Sequence, residues 1–202
     1  MAVTDPSQRR RTNDPQGLRG RVLDAAAELF QARGYHGATM HEVAAAAGVT
    51  GGAMHHHFPS KKALGIAVIR ERVAPAVRET WMDPVTGAAA ASAGVAAVFA
   101  GIASSLDAAG AVRGCPLNNL ALELSFGDRE FSAEIAAVFA EWRRALADKV
   151  RADQTAGRAD GRDPDAFATV VVSAYSGAMA QAKAERNAGP LRVCAAELAR
   201  WT

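Results

Sequence analysis

Between Thr39 and Lys62 the apolar positions fall into two short runs at helical spacing, parted by a glycine and each opened by a cap residue. Thr39 stands three residues before Glu42. At that spacing a hydroxyl accepts the amide of the third helical residue while the carboxylate accepts the N–H of the cap itself. Met40, Val43, Ala44 and Ala47 then repeat at helical intervals, and Gly48 can take the left-handed conformation that ends helices. Thr50 caps a second run, in which Ala53, Met54 and His57 share a face while Gly51, Gly52, His55 and His56 point elsewhere. Pro59 drives Phe58 out of the helical region, and Ser60 opens the next helix at Lys61-Lys62-Ala63-Leu64. Two short helices on a tight glycine-containing turn have helix-turn-helix spacing, which suits the reading of DNA.

The same periodicity organises the rest of the chain. Leu18, Val22, Ala25, Ala26, Leu29 and Phe30 form one stripe and predict a helix from Leu18 to Arg33, ended by Gly34. Ahead of it, residues 1–17 read as a flexible arm, residues 18–62 as a three-helix head, and residues 63–202 as a second domain. In the fourth helix Leu64, Ala67, Val68, Glu71 and Arg72 keep to no single stripe, as expected of a helix packed on two sides. Pro75 is expected to kink or end it, and residues 83–92 read as a loop or fraying helix start. Val95, Val98, Phe99, Ile102 and Leu106 predict a helix over 93–109, and Leu117, Leu120 and Leu124 a short one after Pro116.

Phe131, Ile135, Val138, Phe139, Trp142, Leu146 and Val150 predict a long helix capped by Asp128, with Glu134, Glu141, Arg144, Asp148 and Arg151 on its wet side. Asp163-Pro164-Asp165 is a strong restart signal. The helix it opens, to about Asn187, carries small residues such as Gly177, Ala178 and Ala182 that let another helix approach closely, which suits a homodimer interface. A last helix is expected from Leu191 to Trp201.

Composition supports an all-α fold: half the residues are hydrophobic, few are aromatic, and strand-favouring residues cluster only at Thr169-Val170-Val171-Val172. No apolar run is read as approaching the roughly 18–20 residues of a membrane span, and the N-terminus lacks the apolar stretch of a signal peptide, so a cytoplasmic protein without membrane partners is expected. The net charge of +2 is uneven, with eight basic against five acidic residues in 1–62. Arg9-Arg10-Arg11 lie in the arm, where they either touch phosphates or form a solvated tail.

Candidate chemistry is sparse. Consecutive His55, His56 and His57 point about 100° apart on a helix and cannot converge on one ion, so no metal is expected. Cys115 and Cys194 are too few for a disulfide scaffold and lack metal-ligand spacing. Cys115 reads either as a packed residue or as a sensing thiol whose pKa Arg113 lowers. Trp81, Phe99, Phe139, Trp142 and Met179 fit a core or the lining of a ligand pocket. No Ser-His-Asp set, phosphate-cradling glycine loop or paired-carboxylate signal stands out, so neither an enzyme nor a cofactor is expected.

The run VLDAAAELFQARGYHGATMHEVAAAAGVTGGAMHHHFPSKKAL, residues 22–64, resembles the N-terminal signature of the tetracycline-repressor (TetR) family in helix order, turn length and its closing His-Phe-Pro-Ser-Lys. Arg113-Gly114-Cys115-Pro116-Leu117-Asn118-Asn119-Leu120-Ala121-Leu122-Glu123 resembles a segment of one group of these regulators, some of which respond to reactive or unsaturated small molecules. The resemblance implies a C-terminal helical bundle for ligand binding and dimerisation, an operator on double-stranded DNA, and an inducer of unstated identity. It also implies DNA-binding roles for Thr39, Thr50, Gly51, Gly52, Ala53, His55, His56 and Lys61, with Thr50 and Lys61 on phosphates. His55 stands where the family usually has Tyr, and Gly51-Gly52 offer no side chains to base edges. The expected function is a ligand-released repressor; an activator of the same fold, or a small-molecule binding protein that no longer uses its head, are the alternatives.

Overall fold

Helices account for all the regular structure among residues 15–200, the part of the chain that the computed structural model describes. The Arg9-Arg10-Arg11 arm and Trp201 lie outside the described residues. The head consists of α1 (Pro15–Arg33), α2 (Met40–Ala47) and α3 (Gly51–His57). Helix α1 is already helical at Pro15, so it takes in residues 15–17, which composition assigned to the arm. Val22, Leu23, Ala26 and Phe30 of α1 close with Val43, Ala44 and Ala47 of α2 and Met54 of α3 into a small buried core.

The local signals act as their chemistry dictates. Thr39 Oγ1 accepts the Glu42 amide at 3.2 Å, and Glu42 Oε2 accepts the Thr39 amide at 2.8 Å, completing the capping box. With the Thr39 hydroxyl and amide and the Arg33 guanidinium all donating to it, the Glu42 carboxyl is lowered to about 2. Gly48 ends α2 at φ 65°, a conformation that costs side-chain-bearing residues about 1–2 kcal/mol.

Helix α4 occupies residues 61–87 as one rod, so Pro75 does not end it and residues 83–87 are helical rather than loop. The reason lies in two π-helical turns, Ile69–Val73 and Arg78–Met82, one ahead of each proline (Pro75 and Pro84). A wider turn keeps the proline ring off the carbonyl four residues back. That carbonyl for Pro75 is Glu71 O, which accepts from Arg72 Nη1 at 2.8 Å.

Around the lower half of α4 pack α5 (Ala91–Ala109), α6 (Pro116–Leu124), α7 (Arg129–Thr155), α8 (Pro164–Glu185) and α9 (Gly189–Leu198), with α5 against α9 and α7 against α8. Asp128 and Asp163 cap α7 and α8 through their carboxylates, as the acid-first restart signals predicted. Two glutamates from the wet side of α7 are not merely solvated: Glu134 pairs with Arg70 and Glu141 with Arg78, tying α7 to α4. Helix α5 corrects the expectation about apolar runs, since by length and composition it could cross a membrane, with a mean hydropathy of 1.4. It turns Val95, Phe99 and Ala103 into the core.

Asp153 is the buried charge among the described residues of the body, at 0% exposure. Its carboxylate accepts from Lys149 Nζ at 2.8 Å, Arg158 Nη2 at 2.9 Å and the Ala91 amide at 2.8 Å, which gives α5 the N-terminal acceptor that Ala90 lacks. Desolvation opposes its ionisation, and these donors outweigh it, so its pKa lies below the ordinary value. Asp153→Ala should lower stability by about 3 kcal/mol, the order expected when one partner of a buried ion pair is removed, measured by urea unfolding at pH 7. Because the folded pKa is depressed, this contribution is complete above about pH 4, the range of an unfolded aspartate, and is lost as the pH falls further. The difference between wild type and variant should therefore shrink in acid.

Candidate functional site

The exposed surface of the head gathers the residues assigned to DNA. Thr50 Oγ1 accepts the Ala53 amide at 3.2 Å and so caps α3, and Met54 anchors that helix by burying its side chain. Thr39, Thr50, Gly51, Gly52, His55 and His56 are exposed, and Ala53 is half-buried. A Cβ added at Gly51 or Gly52 would meet nothing within 4 Å. Packing therefore does not require these glycines, and their backbone stands open to an approaching surface.

The two lysines that open α4 part company. Lys61 Nζ sits 4.5 Å from the Tyr35 ring centroid and 3.4 Å from His36 O, against the α1–α2 loop on the head. Lys62 turns to the body and pairs with Asp128 at 2.7 Å and Glu130 at 2.9 Å. The His56 and His57 rings lie 75° apart in plane, and among the described residues no three His, Cys, Asp or Glu side chains gather as a metal site would need.

In the body, three of the residues assigned to ligand, Trp81, Phe99 and Trp142, meet around Tyr175, which periodicity did not single out. Trp81 of α4 lies 5.3 Å from Phe99 of α5, 5.1 Å from Trp142 of α7 and 4.8 Å from Tyr175 of α8, centroid to centroid. Phe139, half-buried, stacks on Trp142 at 6.4 Å and 10°. Met179, one turn beyond Tyr175, is buried on the same face. Tyr175 falls at helical spacing in the stripe Val171, Tyr175, Ala178 and Ala182, a signal present in the sequence but shared with ordinary core residues.

Cys115 is buried at the N-cap of α6 and neighbours the Tyr175 hydroxyl. Burial pushes its thiol pKa up, against the pull of the Asn118 and Leu117 amides and that hydroxyl. Arg113 is drawn off to Glu28 at 2.9 Å. Both facts oppose the low-pKa thiolate that a sensing cysteine needs.

Helix α6 joins this aromatic core to the head. At its far end the Glu123 carboxylate accepts the Tyr35 amide at 2.8 Å and the His36 amide at 2.6 Å, both in the α1–α2 loop. Near its start Gln31 of α1 donates to Gly114 O at 2.7 Å. Between these contacts a cavity of about 170 Å³ is lined by Ala27 and Phe30 of α1, Val68, Val73 and Ala76 of α4, and Leu120 of α6. These contacts join residues 50 to 90 positions apart along the chain, so no local pattern could have marked Glu123, Gln31 or Lys62.

Comparison with known proteins agrees with this layout. Residues 22–68 match the model of bacterial regulatory proteins of the tetR family, and residues 91–197 match that of the C-terminal domain of LmrA/YxaF-like transcriptional regulators. The HTH-type transcriptional repressor DhaR of Mycobacterium sp. (strain GP1) is 28% identical over 183 residues, covering 86% of each chain. The HTH-type transcriptional activator FasR of Mycolicibacterium smegmatis is 47% identical over 55 residues, 27% of this chain and 25% of its own. A TetR transcriptional regulator from Chloroflexus aurantiacus has a similar structure, with a TM-score of 0.82 and 28% identity over 93% of this chain and 94% of its own. An exposed helix-turn-helix head latched to a helical body, with each part matched by its own model, places this chain in the TetR family of DNA-binding transcriptional regulators, which are not enzymes.

Proposed function

We propose that the protein is a cytoplasmic, homodimeric repressor released from its operator by a small molecule bound in the body. The observation that carries this reading is the double connection between the aromatic core and the head. Helix α4 spans it directly, with Lys61 at the head and Trp81 in the core, about 30 Å apart at 1.5 Å per residue. Helix α6 spans it in parallel, with Cys115 beside Tyr175 at one end and Glu123 on the head loop at the other. A ligand that favours a different packing of Trp81 and Tyr175 shifts both helices, and so the heads, by no more than its differential affinity for the two states.

The outer faces of α8 and α9 support dimerisation. Val170 is 44% exposed and Val193 64% exposed, and exposed Gly177 and Ala180 allow close approach of a second copy. Two heads so joined would set their α3 helices in successive major grooves about 34 Å apart. Residues 18–62 serve as the DNA-binding unit and residues 63–202 as the ligand-binding and dimerisation unit. DhaR, similar over most of both chains, favours repression; the match to the activator FasR is confined to 55 residues.

A gel-shift titration of the full chain on DNA flanking its own gene, at several salt concentrations, tests the reading, and absence of a specific salt-sensitive complex would refute it. In that assay Lys61→Ala should weaken binding to all sequences alike and reduce the slope of log affinity against log salt by about one, as loss of one phosphate contact does. The double variant Gly51→Ala/Gly52→Ala should melt no lower than wild type, since alanine favours helix by up to about 1 kcal/mol per site, yet bind DNA more weakly because two methyl groups now stand on the approach surface. Equal DNA affinity would remove these glycines from the interface. Glu123→Ala should speed hydrogen exchange at the Tyr35 and His36 amides, while the exchange of α7 stays unchanged. In wild type DNA binding should slow exchange along α6, and in Glu123→Ala that response should be lost.

A further inference from the structure

We infer that the aromatic core is built for a small neutral ligand that brings a hydrogen-bond acceptor, of the carbonyl type, to the indole N–H groups of Trp142 and Trp81. The inference rests on the reading above that the body binds a ligand, and it names the chemistry of that ligand. Trp81 is 1% exposed and Trp142 0% exposed, and neither Nε1 has an aligned hydrogen-bond acceptor among the described residues. Trp81 Nε1 lies near the Tyr175 hydroxyl without that alignment, and Trp142 Nε1 has no hydrogen-bond partner among the described residues. An unpaired buried donor costs about 1–3 kcal/mol, and native proteins rarely leave one without a reason. Here two lie on rings 5.1 Å apart. The same fold fully supplies its buried Asp153 with three donors, so the omission is local.

A count of donors and acceptors gives the ligand class. Each indole has one donor and no acceptor, and the Tyr175 hydroxyl and Cys115 thiol add a donor each, leaving the Tyr175 oxygen as the strong acceptor of the group. Among the described residues no lysine or arginine is buried with these rings. An anion buried here would lack a counter-charge, whereas a neutral oxygen meets the donors without that penalty. The rings of Trp81, Phe99, Trp142 and Tyr175 close on one another with centroids 4.8 to 5.9 Å apart. Phe139, the half-buried ring stacked on Trp142, lies at the margin of this group.

The test is the indole ¹⁵N–¹H spectrum of the full chain, titrated with acetophenone and separately with ethylbenzene, which has the same outline without the oxygen. Trp142→Phe and Trp81→Phe assign the signals, since each removes one N–H and keeps a ring; should a variant not fold, the paired titrations of wild type still decide. Without ligand, the Trp142 signal should lie in the unbonded range. Acetophenone should move it into the hydrogen-bonded range and bind at least about tenfold more tightly than ethylbenzene, and Trp142→Phe should erase most of that preference. A hydrogen-bonded Trp142 signal in the free protein, or equal binding of the two probes, overturns the acceptor inference while leaving a ligand-binding body. Binding of neither probe overturns both.

Discussion

The structure depends on one helix serving two cores. From Leu64 to Ile69 every residue of α4 is buried, including Gly65. A side chain at that glycine would put a Cβ 2.8 Å from the Tyr35 ring of the head loop and 2.9 Å from the Phe131 ring of α7. Head, α4 and body thus meet at van der Waals distance around a position with no room for a methyl group. Packed interfaces of this kind do not deform continuously, so a shift of the body reaches the head as a change between discrete packings.

The polar contacts around that junction give it direction. Arg19 grips Glu71 and Arg72 grips Asp24, fixing α1 on α4, while Lys62 holds Asp128 and Glu130 at the start of α7. These pairs are partly exposed, so solvent screens them and each contributes modestly. Their effect is to set register rather than to hold the fold together. The Glu123 carboxylate on two loop amides does the same for α6, in a charge-assisted contact that water can replace only in part. Two helices therefore run between the aromatic core and the head, and the π-helical turns let α4 do so past two prolines.

The body treats its buried polar groups in two ways. Asp153 is surrounded by donors and serves as a structural joint between α5 and α7. The indoles of Trp81 and Trp142 sit in the packed aromatic core with no aligned acceptor among the described residues. Cys115, which the sequence allowed to be a sensor, is held as a thiol by its burial and stands at the N-cap of the helix that bears Glu123.

The residues by themselves determined whatever depends on neighbours a few positions away. The Thr39–Glu42 capping box, the left-handed Gly48, the caps at Thr50, Ser60, Asp128 and Asp163 and the apolar stripes of α1 and α7 all stand in the structure as their chemistry requires, because each is a contact within about one helical turn. Periodicity also named most of the aromatic core, although a stripe cannot tell a packed ring from one that meets a ligand. Where a local rule met the packed structure, the structure prevailed: Pro75 was expected to kink or end α4, but the helix runs on past it through a wider turn. Tertiary structure alone decided that Lys61 faces the head and Lys62 the body, that Glu123 reaches Tyr35 and His36, and that two indole N–H groups lie without an aligned acceptor among the described residues. Those facts join segments far apart in the chain, and no short-range pattern encodes the distance between them.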